Sequence, residues 1–217
     1  MATKLDLSGL RVLVLEDSWP MAQMLANILR GFGIRKIDFV ADVEEALVKV
    51  EAEDTDFAIV DLVLRMDDGL RFVKCIRQRG SRCPRLPIVI LSSHTSTDQV
   101  MQAALAGAND VLHKPVSTRT LYHHIASLVL NPRPFVWVGT SCLPLPRGMS
   151  LEEAKSLSLA EMRKAIRQPF EVLRSKRMPR AEDDPPDHYD PPPAAPRAVG
   201  SARPTGRRPG RPRRLSA

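Results

Sequence analysis

The sequence predicts an α/β fold built on one parallel sheet, and three observations support this prediction. Short apolar runs without polar alternation, typical of strands buried on both faces, recur through the first part of the 217-residue chain. Segments with apolar residues at helical spacing separate these runs. Polar residues follow the runs directly, as expected where parallel strands end at one edge of a sheet. Five strands alternating with five helices therefore account for residues 8–130.

Five apolar runs are the candidate strands, and capping residues mark helices between them. The predicted strands are residues 11–15, 37–41, 58–60, 88–91 and 110–113. The residues predicted to cap helices include Asp42, Ser96 and Ser117. Short connections and right-handed crossovers favour the strand order 2-1-3-4-5 of a flavodoxin-like sheet, with helices on both faces. A dinucleotide-binding fold is disfavoured, because no G-x-G-x-x-G follows the first strand.

Charge and proline content divide the chain near residue 130. Residues 1–130 hold 15 Lys and Arg against 16 Asp and Glu, whereas residues 131–217 hold 17 against 9 and contain 15 of the 19 prolines. The first part is therefore expected to be globular, and most of the second part is expected to lack a core. The three scattered cysteines, the lack of a long apolar run and the lack of a secretory signal predict a cytoplasmic protein without a membrane span.

The residues that follow the predicted strands form a set suited to phosphoryl chemistry. Glu16 and Asp17 follow the first strand, Asp61 the third, Ser92 the fourth and Lys114 the fifth. Three acids at one edge call for a cation, and Mg²⁺ prefers such oxygen ligands. Asp61 is then the candidate nucleophile that takes a phosphoryl group as an acyl phosphate. Lys114 and Ser92 are candidates to bind the oxygens of that group.

Residues 8–130 resemble the receiver domain of bacterial two-component response regulators. Five motifs in the right order carry the resemblance. They are the residues 12–17, 59–61, 68–69, 87–93 and 107–115. The resemblance covers more than half of the chain and implies a flavodoxin-like fold and a switch controlled by phosphorylation.

The resemblance also implies a role for each site residue. Asp61 would be the phosphoacceptor for a histidine kinase. Asp17 and Asp61 would ligate Mg²⁺ directly, together with the backbone carbonyl of Val63, whereas Glu16 would act largely through water. The side chains that would contact the phosphoryl group are Ser92 and Lys114.

Two positions depart from the family pattern. The family often has proline four residues after the phosphoacceptor, where this chain has Arg65. It also has a Tyr or Phe in strand five that turns inward on activation, where this chain has Val111. The face formed by helix four, strand five and helix five commonly mediates dimers and partner binding in receivers. A homodimer through this face is therefore one expectation.

The segment after residue 130 is predicted to contain little structure. Residues 131–149 are expected to be a linker, in which the apolar residues 135–138 either pack on the domain or form a docking strand. Residues 150–168 are predicted to form one amphipathic helix, ended or kinked at Pro169. Residues 169–217 are predicted to be a disordered tail rich in proline and arginine. Its basic run at 207–214 resembles an AT-hook, and the alternative is a solvated basic tail with non-specific anion affinity.

The prediction for the whole chain is a stand-alone response regulator that catalyses its own phosphorylation without being a turnover enzyme. Its expected partners are a sensor histidine kinase or histidine phosphotransfer protein and a downstream protein. Three alternatives stay open. They are a phosphorelay intermediate, a DNA-associated regulator that uses its basic tail, and a receiver that does not switch.

Overall fold

A parallel five-stranded sheet forms the centre of the described chain. The computed structural model describes residues 6–175, and the side chains of residues 6–169. The strands are β1 (Arg11–Leu15), β2 (Lys36–Val40), β3 (Phe57–Asp61), β4 (Ile88–Ser92) and β5 (Asp110–His113). They pair in parallel in the order β2-β1-β3-β4-β5. The predicted fold class is confirmed, with β2 and β3 each beginning one residue earlier, and β3 and β4 each ending one residue later, than predicted.

Five helices cover the two faces of this sheet. They are α1 (Trp19–Gly31), α2 (Val43–Ala52), α3 (Gly69–Ile76), α4 (Thr97–Ala106) and α5 (Thr118–Leu130). On one face, Val12 and Val14 of β1 share a core with residues of α1 and α5. On the other face, Leu13 and Leu15 share a core with residues of α2, α3 and α4. The buried strands therefore lack polar alternation because both of their faces are covered.

The predicted linker at residues 131–149 contains a β-hairpin instead. Strands β6 (Phe135–Val138) and β7 (Ser141–Pro144) pair antiparallel around a tight turn. Gly139 occupies that turn at φ +62°, a conformation that glycine adopts without steric cost. The hairpin is tied to the segment after α3, because Cys142 donates its backbone N–H to the carbonyl of Arg77 at 2.7 Å.

Two helices replace the single helix predicted at residues 150–168. They are α6 (Leu151–Ser156) and α7 (Leu159–Ser175). The break follows from a capping box at the start of α7, in which Ser158 donates to Glu161 and accepts from its backbone N–H. Helix α7 also continues through Pro169, so the disorder predicted from residue 169 is wrong for residues 169–175. The rest of the predicted tail, including the basic run at 207–214, lies outside the described residues.

Helix α7 packs against α4 and covers part of its outer surface. Met162 and Ile166 of α7 are buried in a third core that includes residues of β6 and β7. Ala104 and Leu105 of α4 pack against the same cluster. Part of the face that the resemblance assigns to dimers and partners is therefore occupied by residues 131–175, the extension that follows α5. No helix among the described residues has the length and apolar character needed to cross a bilayer.

A buried arginine joins the sheet to the hairpin. The side chain of Arg77 donates to the carbonyls of Gly107, Pro84 and Leu86 at 2.9, 3.0 and 2.8 Å. It also donates to the side chain of Asn109 at 3.2 Å. Its guanidinium lies 4.9 Å from the centre of a phenylalanine ring in β6. Burial lowers the pKa of Arg77 to about 10, which leaves this group charged at neutral pH.

Candidate phosphoacceptor site

The carboxyl ends of β1 and β3 bring three acids together. Glu16 and Asp17 follow β1 directly, and Asp61 is the last residue of β3. One carboxylate oxygen from each of the three lies within 4.8 Å of the other two. Glu16 and Asp61 are buried, and Asp17 is half-buried. The three acids that the sequence predicted to meet are therefore assembled as one cluster.

Lys114 lies against two of these carboxylates. Its Nζ is 2.7 Å from Glu16 Oε2 and 2.8 Å from Asp61 Oδ2. The backbone N–H of Lys114 donates to the carbonyl of Ser92 at 2.8 Å, so the end of β4 supports the lysine. The peptide bond from Lys114 to Pro115 is cis. One ammonium group facing three carboxylates leaves an excess of two negative charges when all are ionised.

The environment of Glu16 shows the electrostatic cost of this arrangement. Burial raises the pKa of Glu16, the hydrogen bond from Lys114 opposes that rise, and the charge of Asp61 adds to it. Glu16 also accepts the backbone N–H of Ser18 at 3.1 Å. A carboxylate of this kind is stabilised by any further positive charge brought into the cluster.

The β3–α3 loop lies closely against Asp61. Asp61 Oδ1 accepts the backbone N–H of Val63 at 3.2 Å, and Val63 forms a β-bridge with Asp68. Gly69 donates its N–H to Leu62 at 3.0 Å. A Cβ added at Gly69 would lie 2.0 Å from the backbone oxygen of Asp61, so only glycine fits this position. Close backbone packing therefore explains the glycine at the start of α3, and Asp68 before it caps the helix by accepting the backbone N–H of Leu70 at 2.8 Å.

Arg65 contributes a donor that sequence reasoning missed. Its backbone N–H donates to Asp17 Oδ2 at 2.7 Å, and its exposed side-chain Nε lies 3.6 Å from the same oxygen. Proline, which the family often has here, carries no backbone N–H and could not make this bond. The departure from the pattern therefore adds a contact to Asp17. The partner of a backbone N–H cannot be predicted from residue type. The available signal was that Arg65 stands where the family often has proline, because any residue other than proline has a backbone N–H to donate.

Ser92 is buried at the end of β4, where it pairs with His113, the residue before Lys114. Its hydroxyl donates to the carbonyl of His94 at 2.5 Å and accepts the N–H of His94 at 3.2 Å. The hydroxyl is thus engaged by the connection that leads into α4. Val111 of β5 packs against the core beside α4 and carries no ring that could turn inward.

The donor set fits a hard divalent cation. Carboxylate oxygens are the ligands that Mg²⁺ prefers, and the three carboxylates outnumber the one ammonium group of Lys114. The partly exposed Asp17 leaves room for the waters that Mg²⁺ keeps. Glu16, Asp17 and Asp61 are the residues that could hold it.

Comparisons with known proteins place the same part of the chain in one family. The response regulator receiver domain model matches residues 12–126, which is more than half of the chain. The transcriptional regulatory protein TcrA of Mycobacterium tuberculosis is 32% identical over 130 residues, which cover 58% of this chain and 50% of TcrA. Chemotaxis protein CheY-3 of Vibrio cholerae is 27% identical over 113 residues, covering 52% of this chain and 86% of CheY-3. The chain spans about half the length of TcrA.

Solved structures of response regulators share the fold of this chain. The chemotaxis response regulator CheY4 of Vibrio cholerae aligns with a TM-score of 0.51 and 29% identity, covering 55% of this chain and 98% of CheY4. A two-component response regulator from Clostridium difficile aligns with a TM-score of 0.52 and 24% identity, covering 56% and 97%, and this likeness concerns the fold alone. The family match, the 2-1-3-4-5 sheet and the acid cluster lead to one conclusion: the chain belongs to the response regulator receiver domain family.

Proposed function

We propose that this chain is a response regulator that accepts a phosphoryl group on Asp61 from a phosphorylated histidine of a sensor kinase or phosphotransfer protein. A carboxylate oxygen of Asp61 attacks the phosphorus atom, the O–P bond forms, and the P–N bond to the donor imidazole breaks. The carboxylate cluster with Lys114 beside it is the observation that carries this proposal. Transfer to a carboxylate is a recognised form of covalent catalysis.

Mg²⁺ would be held by Asp17 and Asp61, with the carbonyl of Val63 as the proposed backbone ligand and Glu16 acting largely through water. The bound ion supplies positive charge that offsets the charge of the incoming phosphoryl group. Lys114 supplies a second positive charge. Its ammonium group exchanges its contact with Asp61 for a contact with a phosphoryl oxygen. Glu16 keeps the ammonium group in place through the 2.7 Å contact.

Ser92 provides a route from the phosphoryl group to the surface. Its hydroxyl would exchange its bond with the carbonyl of His94 for a bond to a phosphoryl oxygen. Because His94 lies in the connection that enters α4, the exchange changes the restraint on the start of that helix. A contact made only in the phosphorylated state is able to shift the relative populations of two conformations of a surface.

The surface that responds differs from the one that the resemblance implies. Helix α4 carries α7 on its outer side, and the hairpin shares the same core. Phosphorylation therefore acts on a composite surface of α4 and α7 that a downstream protein reads. Val111 removes the aromatic rotamer from the route, so the connection through His94 carries the change.

Uptake of a phosphoryl group from a small phosphodonor tests the function. The full chain is incubated with acetyl phosphate and Mg²⁺, and its intact mass is followed. Wild type is expected to gain one phosphoryl group, and Asp61→Asn none. Asp67→Asn is the matched control, since Asp67 lies in the same loop outside the cluster and pairs with Arg71. Equal uptake by wild type and Asp61→Asn would refute the proposal.

A role on DNA is the second candidate, and the basic run at residues 207–214 favours it. Arginine-rich segments bind the phosphate backbone and narrow minor grooves. Deletion of residues 180–217 should then abolish retention on DNA and flatten its salt dependence. Retention that is unchanged by the deletion would exclude this role.

A further inference from the structure

A basic cleft lies on the side of the molecule where the extension meets the receiver fold. Its volume is about 400 Å³, within the range of small-molecule sites. Helices α3 and α4 form one side, and β7 and α7 form the other. Lys74 of α3 and Arg163 and Arg167 of α7 provide its exposed cations. None of the residues that line this basic cleft belongs to the carboxylate cluster.

The charges of the basic cleft are not balanced by the described chain. No Asp or Glu of the described residues lines it. Among residues 6–169, Lys74, Arg163 and Arg167 take part in no salt bridge. Arg163 and Arg167 stand one helical turn apart, an arrangement of like charges that is unfavourable without an anion.

A fourth cation lies in the floor of the cleft. Arg77 lines it from below with a side chain that is 1% exposed. Carbonyls and the amide of Asn109 satisfy its guanidinium, but none of these partners carries a charge. Its positive charge therefore adds to the potential inside the cleft, where burial weakens solvent screening.

The remaining lining distinguishes a small organic ligand from a bare ion. Leu105, Leu143 and Leu159 form an apolar wall, and Gln102 and Ser141 offer hydrogen-bonding groups beside it. Ligand sites typically combine such apolar surface with a few convergent polar groups. We propose that the basic cleft binds a small phosphorylated molecule, with its phosphates on Lys74, Arg163 and Arg167 and its remaining part on the leucine wall.

Such a ligand would join the receiver fold to its extension. Its phosphates would contact α3 and α7 together and offset the repulsion among the three exposed cations. Binding therefore stabilises the packing of α7 on α4. Asp61 takes no part, so the variant Asp61→Asn is expected to bind the ligand as wild type does.

Calorimetric titration of the full chain with ADP, pyrophosphate and adenosine tests the proposal. Buffers contain no Mg²⁺ and have a fixed ionic strength, so that the Asp61 site does not contribute. ADP is expected to bind one to one and more tightly than pyrophosphate, and adenosine is not expected to bind. The double variant Arg163→Gln/Arg167→Gln should weaken ADP binding roughly tenfold for each arginine, as loss of charge-assisted hydrogen bonds implies.

The matched control is Lys164→Gln/Arg119→Gln, which removes the same charge from exposed positions outside the cleft lining. Equal weakening in both double variants, or no binding by wild type, would overturn the proposal. Equal affinity for ADP and pyrophosphate would overturn the assignment of the leucine wall.

A second comparison tests whether an acidic run of the chain itself competes for the cleft. ADP is titrated into a variant that carries Glu182→Gln, Asp183→Asn and Asp184→Asn. Binding by that variant and not by wild type would assign the cleft to the chain's own acidic run instead.

Discussion

Single side chains at the carboxyl edge of the sheet account for the chemistry proposed for this protein. Glu16, Asp17 and Asp61 contribute three carboxylates, and Lys114 contributes one ammonium group within 2.8 Å of two of them. The excess of negative charge favours binding of a cation, and the carboxylate oxygens are suitable ligands for it. Without a cation, the unbalanced charge disfavours the folded state.

Mg²⁺ is accordingly expected to stabilise wild type against thermal unfolding. A ligand that binds only the folded state contributes about 2.7 kcal/mol when its concentration reaches a hundred times its Kd. Differential scanning fluorimetry with increasing Mg²⁺ measures the shift in Tm. Asp17→Asn should lose most of the shift, whereas Asp67→Asn should keep it. A full shift in Asp17→Asn would argue against the assigned ligands.

Arg77 is expected to be a sensitive position for stability outside the site. Arg77→Met leaves the carbonyls of Gly107, Pro84 and Leu86 without their donor, and should lower the free energy of unfolding by about 3 kcal/mol. Urea unfolding measures this change at constant m. Arg119→Met, at an exposed position, should change stability by less than about 0.5 kcal/mol. A similarly small change for Arg77→Met would show that the buried network contributes little.

The contrast between Lys114 and Arg77 shows what could be predicted at the residue scale. Lys114 and the three acids directly follow strands, so the parallel topology alone predicted that they would meet. Arg77 lies near the end of a helix, where arginine is ordinarily exposed, and its partners are mostly backbone carbonyls. Such partners are not encoded by residue type, and the buried role of Arg77 was missed for that reason.

At the scale of the elements, the five strands and five helices of the receiver fold could be predicted from local sequence. Apolar runs indicate the strands, and helical spacing together with capping residues indicates the helices between them. The capping box at Ser96 and Gln99 and the caps at Asp42 and Ser117 form as predicted. The hairpin was missed because β7 contains Pro144 and spans only four residues, which is too short for a periodicity. Its tight turn at Gly139 was the available signal.

The capping boxes of α6 and α7 make these helices sensitive to acid. Hydrogen bonds from Ser150 lower the pKa of Glu153 below its ordinary 4.5, and hydrogen bonds from Ser158 lower that of Glu161. A lowered pKa in the folded state gives a contribution that is complete above the unfolded value and is lost as pH falls through the folded value. Amide exchange in α6 and α7, corrected for the intrinsic effect of pH, should therefore accelerate below the ordinary pKa. Glu153→Gln/Glu161→Gln should remove this acid-induced change.

Packing of α7 on α4 is expected to depend on Met162. Met162→Ala removes a side chain that is fully buried between the two helices, at a cost of roughly 2–5 kcal/mol for such truncations. Hydrogen exchange should increase in α7 and the hairpin and stay unchanged in β1, β3 and β4. Lys164→Ala, on the exposed side of α7, is the control. Uniform acceleration across the sheet would show instead that the extension and the receiver fold unfold as one unit.

For the molecule as a whole, the extension changes which surface a receiver fold can present. The face of α4 that the resemblance assigns to partners packs against α7, and Val111 replaces the aromatic residue expected beneath it. The fold and the site could be predicted because they rest on strand ends in a fixed order. The coverage of α4 could not, since it depends on contacts between segments about 60 residues apart in the sequence.

The carboxylate of Asp61 is the proposed carrier of the phosphoryl group. Reductive trapping with borohydride after incubation with acetyl phosphate and Mg²⁺, followed by peptide mass spectrometry, locates the acyl phosphate directly. The expected result is trapped product at Asp61 only, which disappears when Mg²⁺ is chelated. Trapped product at Asp17 or Asp68, or a phosphoryl group on a side chain other than a carboxylate, would contradict it.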